Sequence, residues 1–268
     1  MLSCAQTTPI PVLILGGTTE ASALCRLLAS LPAFAPTLSL AGVTKAPHLP
    51  DLPVRIGGFG GVRGLRDWLA EKAIQAVIDA THPFAATMSQ NAATACAQSA
   101  LPLLRLERPG WRPTAEDTWL SVPTLNDAAS MLADPEHYGR RPLRIFLTTG
   151  RKDLAPFRNA PQHSYLLRSI DAPDPACLPP HTVCLSARGP FDYAAETALM
   201  QAHGIELLVT KNSGGDATFP KLLAARTLRC PVIMIKRPPH PACPVVHTAE
   251  EAIMWLHTHQ AASTLREV

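Results

Sequence analysis

The feature that most limits the fold is a repeated alternation. Strand-sized runs rich in Val, Ile and Leu are separated by longer segments of helical period. In the first half the strand candidates are residues 11–16, 37–43, 54–56, 76–81 and 101–106. Between them, Ala21, Leu24, Cys25 and Leu28 mark one apolar helix face, and Val62, Leu65 and Leu69 mark another. In the second half the strand candidates are 119–122, 143–149, 164–169, 182–187, 206–210 and 231–236, with helices expected near 124–133, 191–203, 218–228 and 249–258. This alternation predicts mainly parallel sheets covered by helices on both faces. So many strands suit two sheets better than one. Arg108–Thr114 (RPGWRPT) combines helix breakers with a loss of periodicity and reads as the linker. The expectation is therefore an α/β chain with domains at 1–112 and 113–268 and a ligand cleft between them. In such sheets ligands bind outside the carboxyl ends of the strands.

Composition removes several function classes. With 47% hydrophobic residues and a net charge of +3, the chain carries neither the signature of disorder nor that of a sequence-independent grip on nucleic acid. The start, MLSCAQTTPIP, lacks the basic and apolar regions of a secretory signal. The apolar runs fall short of the roughly 20 residues that span a bilayer, so no membrane partner is expected. The seven cysteines include no C-x-x-C pair and read as reduced thiols of a cytoplasmic protein. Most of the 27 prolines fall between periodic segments and stiffen loops. No feature of the sequence fixes an oligomeric state.

The strand ends carry the polar residues. At the first, VLILGGTTEAS (Val12–Ser22), a helix starting near Thr19 would aim its free N–H groups at the turn Gly16–Gly17–Thr18. The glycines allow close approach of an anion, and the hydroxyls of Thr18 and Thr19 are candidate phosphate donors. The alternative is a tight strand-to-helix turn whose glycines serve geometry alone. NAD-binding folds place an acid roughly 20 residues beyond the glycines to hold the ribose 2′-hydroxyl. From Ala21 to Pro50 there is no acidic residue, and Lys45 follows the second strand, a pattern that favours NADP over NAD.

A second cluster, Arg55–Gly61 (RIGGFGG), offers Phe59 as a stacking face or is a flexible turn. In Asp79–Ala85 (DATHPFA), His82 is a candidate acid, base or ligand contact, and Pro83 suits a first helical turn. Three later strand ends are polar: Thr148–Arg151 (TTGR), Ser186–Pro190 (SARGP) and Thr210–Gly215 (TKNSGG). Lys211, Asn212, Ser213 and Gly214 resemble an anion nest, and Arg151 and Arg188 can each clamp a carboxylate or phosphate. Each arginine alone is equally a solvated surface charge. His240, Cys243 and His247 lie in a proline-rich loop without a recognisable fourth ligand, so no metal site is expected. No G-x-S-x-G elbow or Walker A string occurs, and none of the tyrosines at 138, 165 and 193 is followed four positions later by lysine.

The strings ILGGTTEA, VRIGGFGG, VIDATHPFA, LLRLERPGW, FLTTGR, LLRSID, SARGPF and LVTKNSGG follow one another from about residue 13 to residue 215. In this order they resemble the precorrin-6A reductase family of cobalamin biosynthesis. The resemblance implies two Rossmann-like domains holding NADPH and a large tetrapyrrole. It implies hydride transfer from nicotinamide C4 to C19 of the macrocycle, with a proton added at C18. On this basis Gly16, Gly17, Thr18, Thr19, Lys45, Thr149, Gly150, Arg151, Lys211, Asn212, Ser213 and Gly214 are the cofactor candidates. Phe59, His82 and Arg188 are assigned to the substrate, and His82 and Lys211 are the candidate proton donors. Two positions depart from the family pattern. Ser22 and Val43 stand where arginine is usual, which removes positive charge near the adenosine end. The competing readings are a nucleotide-dependent transferase with two Rossmann-like domains and a non-catalytic two-lobed binding protein.

Overall fold

The computed structural model describes residues 8–42, 51–152 and 154–264, the last five by their backbone. The chain forms two compact units, one of Met1–Pro109 with Pro239–Val268, the other of Gly110–Pro238. In chain order the first unit contributes β1 (Ile10–Leu15), α1 (Thr19–Leu28), β2 (Phe34–Leu40), β3 (Val54–Ile56), α2 (Gly61–Glu71), β4 (Ala76–Asp79), α3 (Ala86–Gln98) and β5 (Leu103–Leu106). The second unit follows with β6 (Trp119–Val122), α4 (Leu125–Ala133), β7 (Arg144–Leu147), β8 (Ser164–Ser169), β9 (Thr182–Ser186), α5 (Tyr193–Ala202), β10 (Leu207–Lys211), α6 (Pro220–Thr227) and β11 (Val232–Ile235). The chain then returns to the first unit as β12 (Val245–Val246) and α7 (Ala249–Thr264).

Each unit holds one six-stranded sheet, ordered β12-β5-β4-β1-β2-β3 and β6-β11-β10-β7-β8-β9, and every pairing is parallel. The first is the doubly wound Rossmann order with β12 as its sixth strand. The second has the same spatial order from β7 onward, but its sixth position is filled by β6, the strand that opens the unit. Strand order reverses between β1 and β4 in one sheet and between β7 and β10 in the other. Those reversals place a crevice at the carboxyl ends of these strands.

The period-two pattern of the strands explains the layering. Val12 and Ile14 pack with Leu24 and Leu28 of α1 and Ala252 and Leu256 of α7 on one face. Leu13 and Leu15 pack on the other with Leu65 and Leu69 of α2 and Ala92 and Cys96 of α3. In the second unit Phe146, Leu208 and Met234 face Met200 of α5 and Leu222 of α6. Burying each such Val, Leu, Ile, Phe or Met side chain contributes about 1.5–3 kcal/mol. Helix starts follow local chemistry: Thr124 and Asp127 form a reciprocal capping box at α4, and the Asp192 carboxylate accepts from Ala194 and Ala195 N–H at α5.

Three expectations are corrected. Residues 113–268 do not form one domain: after Pro238 the chain pairs Val245 and Val246 with Arg105 and Leu106 of β5 and rejoins the first core through α7. An exposed edge at β5 is covered by this return, and α7 supplies the apolar surface that α1 needs on that face. Pro83 is not in a first helical turn. It sits in a separate turn closed by Ala85 N–H to the His82 carbonyl at 2.7 Å, and the helix begins at Ala86. The strand expected over 76–81 stops at Asp79 because Thr81 N–H donates to the Asp79 carboxylate at 3.0 Å, turning the chain out of the ladder.

Candidate active site

At the first reversal, β1 runs into Gly16 and Gly17 and then α1. Gly17 has φ of +119°, and a Cβ built there meets no atom of the described residues within 4 Å. A side chain at Gly17 would be strained and would fill open space beside the α1 N-terminus, where the positive dipole end favours an anion. Gly16 serves packing, since a Cβ there would lie 2.4 Å from Leu38 Cδ1 of β2. Thr18 is the N-cap: its hydroxyl oxygen accepts from Ala21 N–H at 3.1 Å and donates to the Ala80 carbonyl at 2.8 Å. This changes the expected role of Thr18, because its hydroxyl proton is committed to the protein rather than to a phosphate. The Thr19 hydroxyl donates to Glu20 at 3.0 Å, and Glu20 pairs with Arg108 at 2.8 Å, which neutralises the acid beside the turn. The cradle therefore consists of backbone N–H groups and the open glycine, a form that fits a dinucleotide pyrophosphate.

Beneath this turn lies a charged cluster that the sequence reading did not single out. Arg105, 2% exposed within β5, donates to Asp79 at 2.7 Å and Ser89 at 2.8 Å and pairs with Glu107. His240 Nε2 lies 3.3 Å from both Arg105 Nη2 and Glu107 Oε2. The other Asp79 oxygen accepts from the Thr81 N–H and hydroxyl. Asp79 thus fixes the 79–83 turn that carries His82. His82 is half-buried, with Nδ1 accepting from Phe84 N–H at 3.2 Å. That bond places the proton of a neutral His82 ring on Nε2. The sequence signals were an acid ending the run VID and an Arg–Glu pair spaced by two in LLRLER; both are charges inside otherwise apolar strands.

The turn after β3 is organised by Arg55. Its guanidinium lies 3.7 Å from the Phe59 ring centroid and donates to Ser39 Oγ, Gly57 O and Gly58 O at 2.9, 2.9 and 3.0 Å. The Trp68 ring meets the Phe59 ring edge-on at 5.6 Å between centroids. One face of Phe59 is therefore occupied by Arg55, in place of the open stacking face expected. Lys45 lies outside the described residues.

At the second reversal, Thr148 donates through N–H and hydroxyl to the Val209 carbonyl at 3.0 and 3.3 Å. The next hydroxyl, Thr149 Oγ1, is buried and has no hydrogen-bond partner among the described residues. Gly150 follows with φ of +86°. Arg151 lies 3.7 Å from Asp171, so its charge is partly balanced within the unit. Lys211 ends β10, and Ser213 N–H donates back to its carbonyl at 2.7 Å. Asn212 has another occupation than the one expected. Its amide accepts from Trp111 N–H at 2.8 Å and donates to the Trp111 carbonyl at 3.0 Å, clamping the 109–113 segment. Arg237 bonds the Asn212 and Ser213 carbonyls at 2.9 and 3.2 Å, which holds the turn that presents Gly214. Arg188 is exposed beyond β9. Among the described residues, no group of three or more His, Cys, Asp or Glu side chains is placed to hold a metal ion, and no helix is long and apolar enough to cross a membrane.

The structure thus brings Gly16–Thr19 and His82 to one strand reversal, and Thr149–Arg151 and Lys211–Gly214 to the other. The sequence model described as precorrin-6x reductase CbiJ/CobK matches residues 11–257. A precorrin-6A reductase of Rhodococcus erythropolis is 48% identical over 92% of this chain and 97% of its own. A cobalt-precorrin-6A reductase of Priestia megaterium is 29% identical over 90% of this chain and 96% of its own. The solved structure titled "CobK precorrin-6A reductase" superposes with a TM-score of 0.85 at 46% identity, covering 93% of this chain and 97% of that one. With most of its length matched and the same fold, the chain belongs to the precorrin-6x reductase CbiJ/CobK family.

Proposed function

We propose that this precorrin-6A reductase of cobalamin biosynthesis uses NADPH and adds hydride at C19 and a proton at C18 of metal-free precorrin-6A. The observation that carries the cofactor assignment is the open Gly17 position beside the α1 N-terminus, at the reversal of a Rossmann-ordered sheet. The nicotinamide supplies the hydride when bound. The Gly16 N–H is spent on the Ser39 carbonyl at 2.9 Å, so the N–H groups from Gly17 to Thr19 hold the pyrophosphate. The Asp79–Arg105 pair fixes the turn that aims His82, whose Nε2–H is the candidate proton source, with the Lys211 ammonium as the second. The strand ends Thr149–Arg151 and Lys211–Gly214 supply further anion donors for a cofactor or a polycarboxylate macrocycle, and Arg188 remains assigned to substrate. The metal-free substrate is favoured because the relative named for precorrin-6A is 48% identical, against 29% for the one named for cobalt-precorrin-6A. Family membership displaces the transferase and two-lobed binding-protein readings.

The test is nucleotide binding followed by fluorescence of the reduced nicotinamide, with anaerobic turnover of metal-free and cobalt-loaded precorrin-6A. Tight NADPH binding, weaker NADH binding and preferential turnover of the metal-free macrocycle are expected. Failure of both nucleotides to bind at millimolar concentration overturns the reading.

A further inference from the structure

We infer that Arg55 is the residue that recognises the 2′-phosphate of the nucleotide and so sets the preference for NADPH over NADH. This rests on the NADPH reading above. Arg55 arises on β3, which pairs with β2 so that Arg55 lies opposite Ser39 in the register. Its head group bonds Ser39 Oγ, near the carboxyl end of β2. In a Rossmann-ordered sheet this strand end is where the adenosine ribose is read, with an acid for a 2′-hydroxyl or an arginine for a 2′-phosphate. The sequence from Ala21 to Pro50 contains no acidic residue.

The guanidinium is also prepared for an incoming anion. Bonds to Ser39, Gly57 and Gly58 engage both hydrogens of Nη1 and one of Nη2. No acceptor among the described residues takes the Nε–H or the remaining Nη2–H, which together present a forked donor pair that matches two phosphate oxygens. No carboxylate is paired with Arg55 among the described residues, so its charge is not neutralised by an ion pair. Stacking on Phe59 at 3.7 Å and the glycine carbonyls fix its orientation before any ligand arrives. This gives the RIGGFGG turn a function: the glycines bring their carbonyls to the arginine, and Phe59 is its platform.

The experiment measures Kd for NADPH, NADH, adenosine 2′,5′-bisphosphate and AMP on the wild type and on Arg55→Leu, Arg55→Lys and Lys45→Ala. Arg55→Leu should weaken NADPH and the bisphosphate by roughly tenfold to a hundredfold, the range of a charge-assisted contact. NADH and AMP should change less than threefold. Arg55→Lys, which keeps charge but loses the fork, should fall between and serves as the readout if the leucine variant does not fold. Equal losses for both nucleotides, or selectivity that disappears in Lys45→Ala and survives both Arg55 variants, overturn the inference. A wild type that binds neither nucleotide fails the NADPH reading instead.

Discussion

The Thr18 hydroxyl bridges the two strands of the first reversal, accepting from Ala21 N–H and donating to the Ala80 carbonyl at 2.8 Å. A residue that resembles a misplaced glycine of a dinucleotide fingerprint is thus a cap and a cross-strand tie. Thr18→Ala removes the cap and strips the Ala80 carbonyl of its donor, at a cost of about 1–2 kcal/mol. Thr18→Ser keeps the oxygen and should be near wild type in denaturant unfolding. Equal stability of all three proteins would show that the hydroxyl holds neither strand.

Arg105 is the second test of the same region. Substitution to Met preserves bulk but leaves Asp79 and Glu107 as buried carboxylates without their shared cation, and loss of one partner of such a pair costs about 3–5 kcal/mol. The double variant Arg105→Met with Asp79→Asn should recover part of that loss, because one unpaired charge is gone. Chemical unfolding of the single and double variants reads both effects. A single variant as stable as wild type would mean the cluster is hydrated rather than dry.

The parallel architecture was legible because strands buried on both faces read as continuous apolar runs, and the polar strand ends stood out against them. What the sequence hid are contacts made by residues far apart along the chain. Arg105 sits in LLRL, where a strand pattern predicts a solvent-facing arginine; its partners Asp79 and His240 are 26 and 135 positions away. Asn212 looked like an anion ligand because its amide was unassigned, and the Trp111 backbone that takes it lies 101 positions upstream. β12 has two residues in a proline-rich stretch, too few for any periodicity to mark, so the return of the chain to the first unit left no local signal.

The acid side of the stability profile has a defined contributor in Asp117. Burial pushes its pKa up, but bonds from Arg226 at 2.9 and 3.0 Å and from Thr114 N–H and hydroxyl at 2.8 and 2.9 Å outweigh that and hold it below the usual carboxylate value. A carboxylate with a depressed folded pKa stabilises above its unfolded value of about 3.9 and loses that contribution as pH falls through the folded value. Asp117→Asn should therefore be less stable than wild type from pH 7 to pH 5, with the gap closing toward pH 3. A gap independent of pH would remove ionisation as its cause.

Thiol chemistry should follow burial. Cys96 and Cys230 are buried, and desolvation pushes their thiols up to about 12, with Cys25 at about 11. Cys184 is exposed at the end of the second sheet on β9. The thiolate is the reacting species, so iodoacetamide at pH 8 should label Cys184 well before these three in the folded protein. Peptide mapping over a time course checks the order, and early labelling of Cys96 would mean that the α2–α3 face opens readily.

The Thr149 hydroxyl, without a hydrogen-bond partner among the described residues, separates structure from function most cleanly. A buried hydroxyl without a partner costs stability, so Thr149→Val, which keeps the branched shape, should leave the protein as stable as wild type or slightly more so. If the hydroxyl is held in reserve for a ligand at the β7–β10 reversal, the same substitution should weaken NADPH or precorrin-6A binding by roughly tenfold, about the worth of one hydrogen bond completed only on binding. Thr149→Ser, which keeps the oxygen, should restore most of the affinity. Gain of stability with unchanged affinity for both ligands would make Thr149 an uncompensated polar group with no part in binding, whereas lost affinity in the better-packed variant can come only from the missing oxygen.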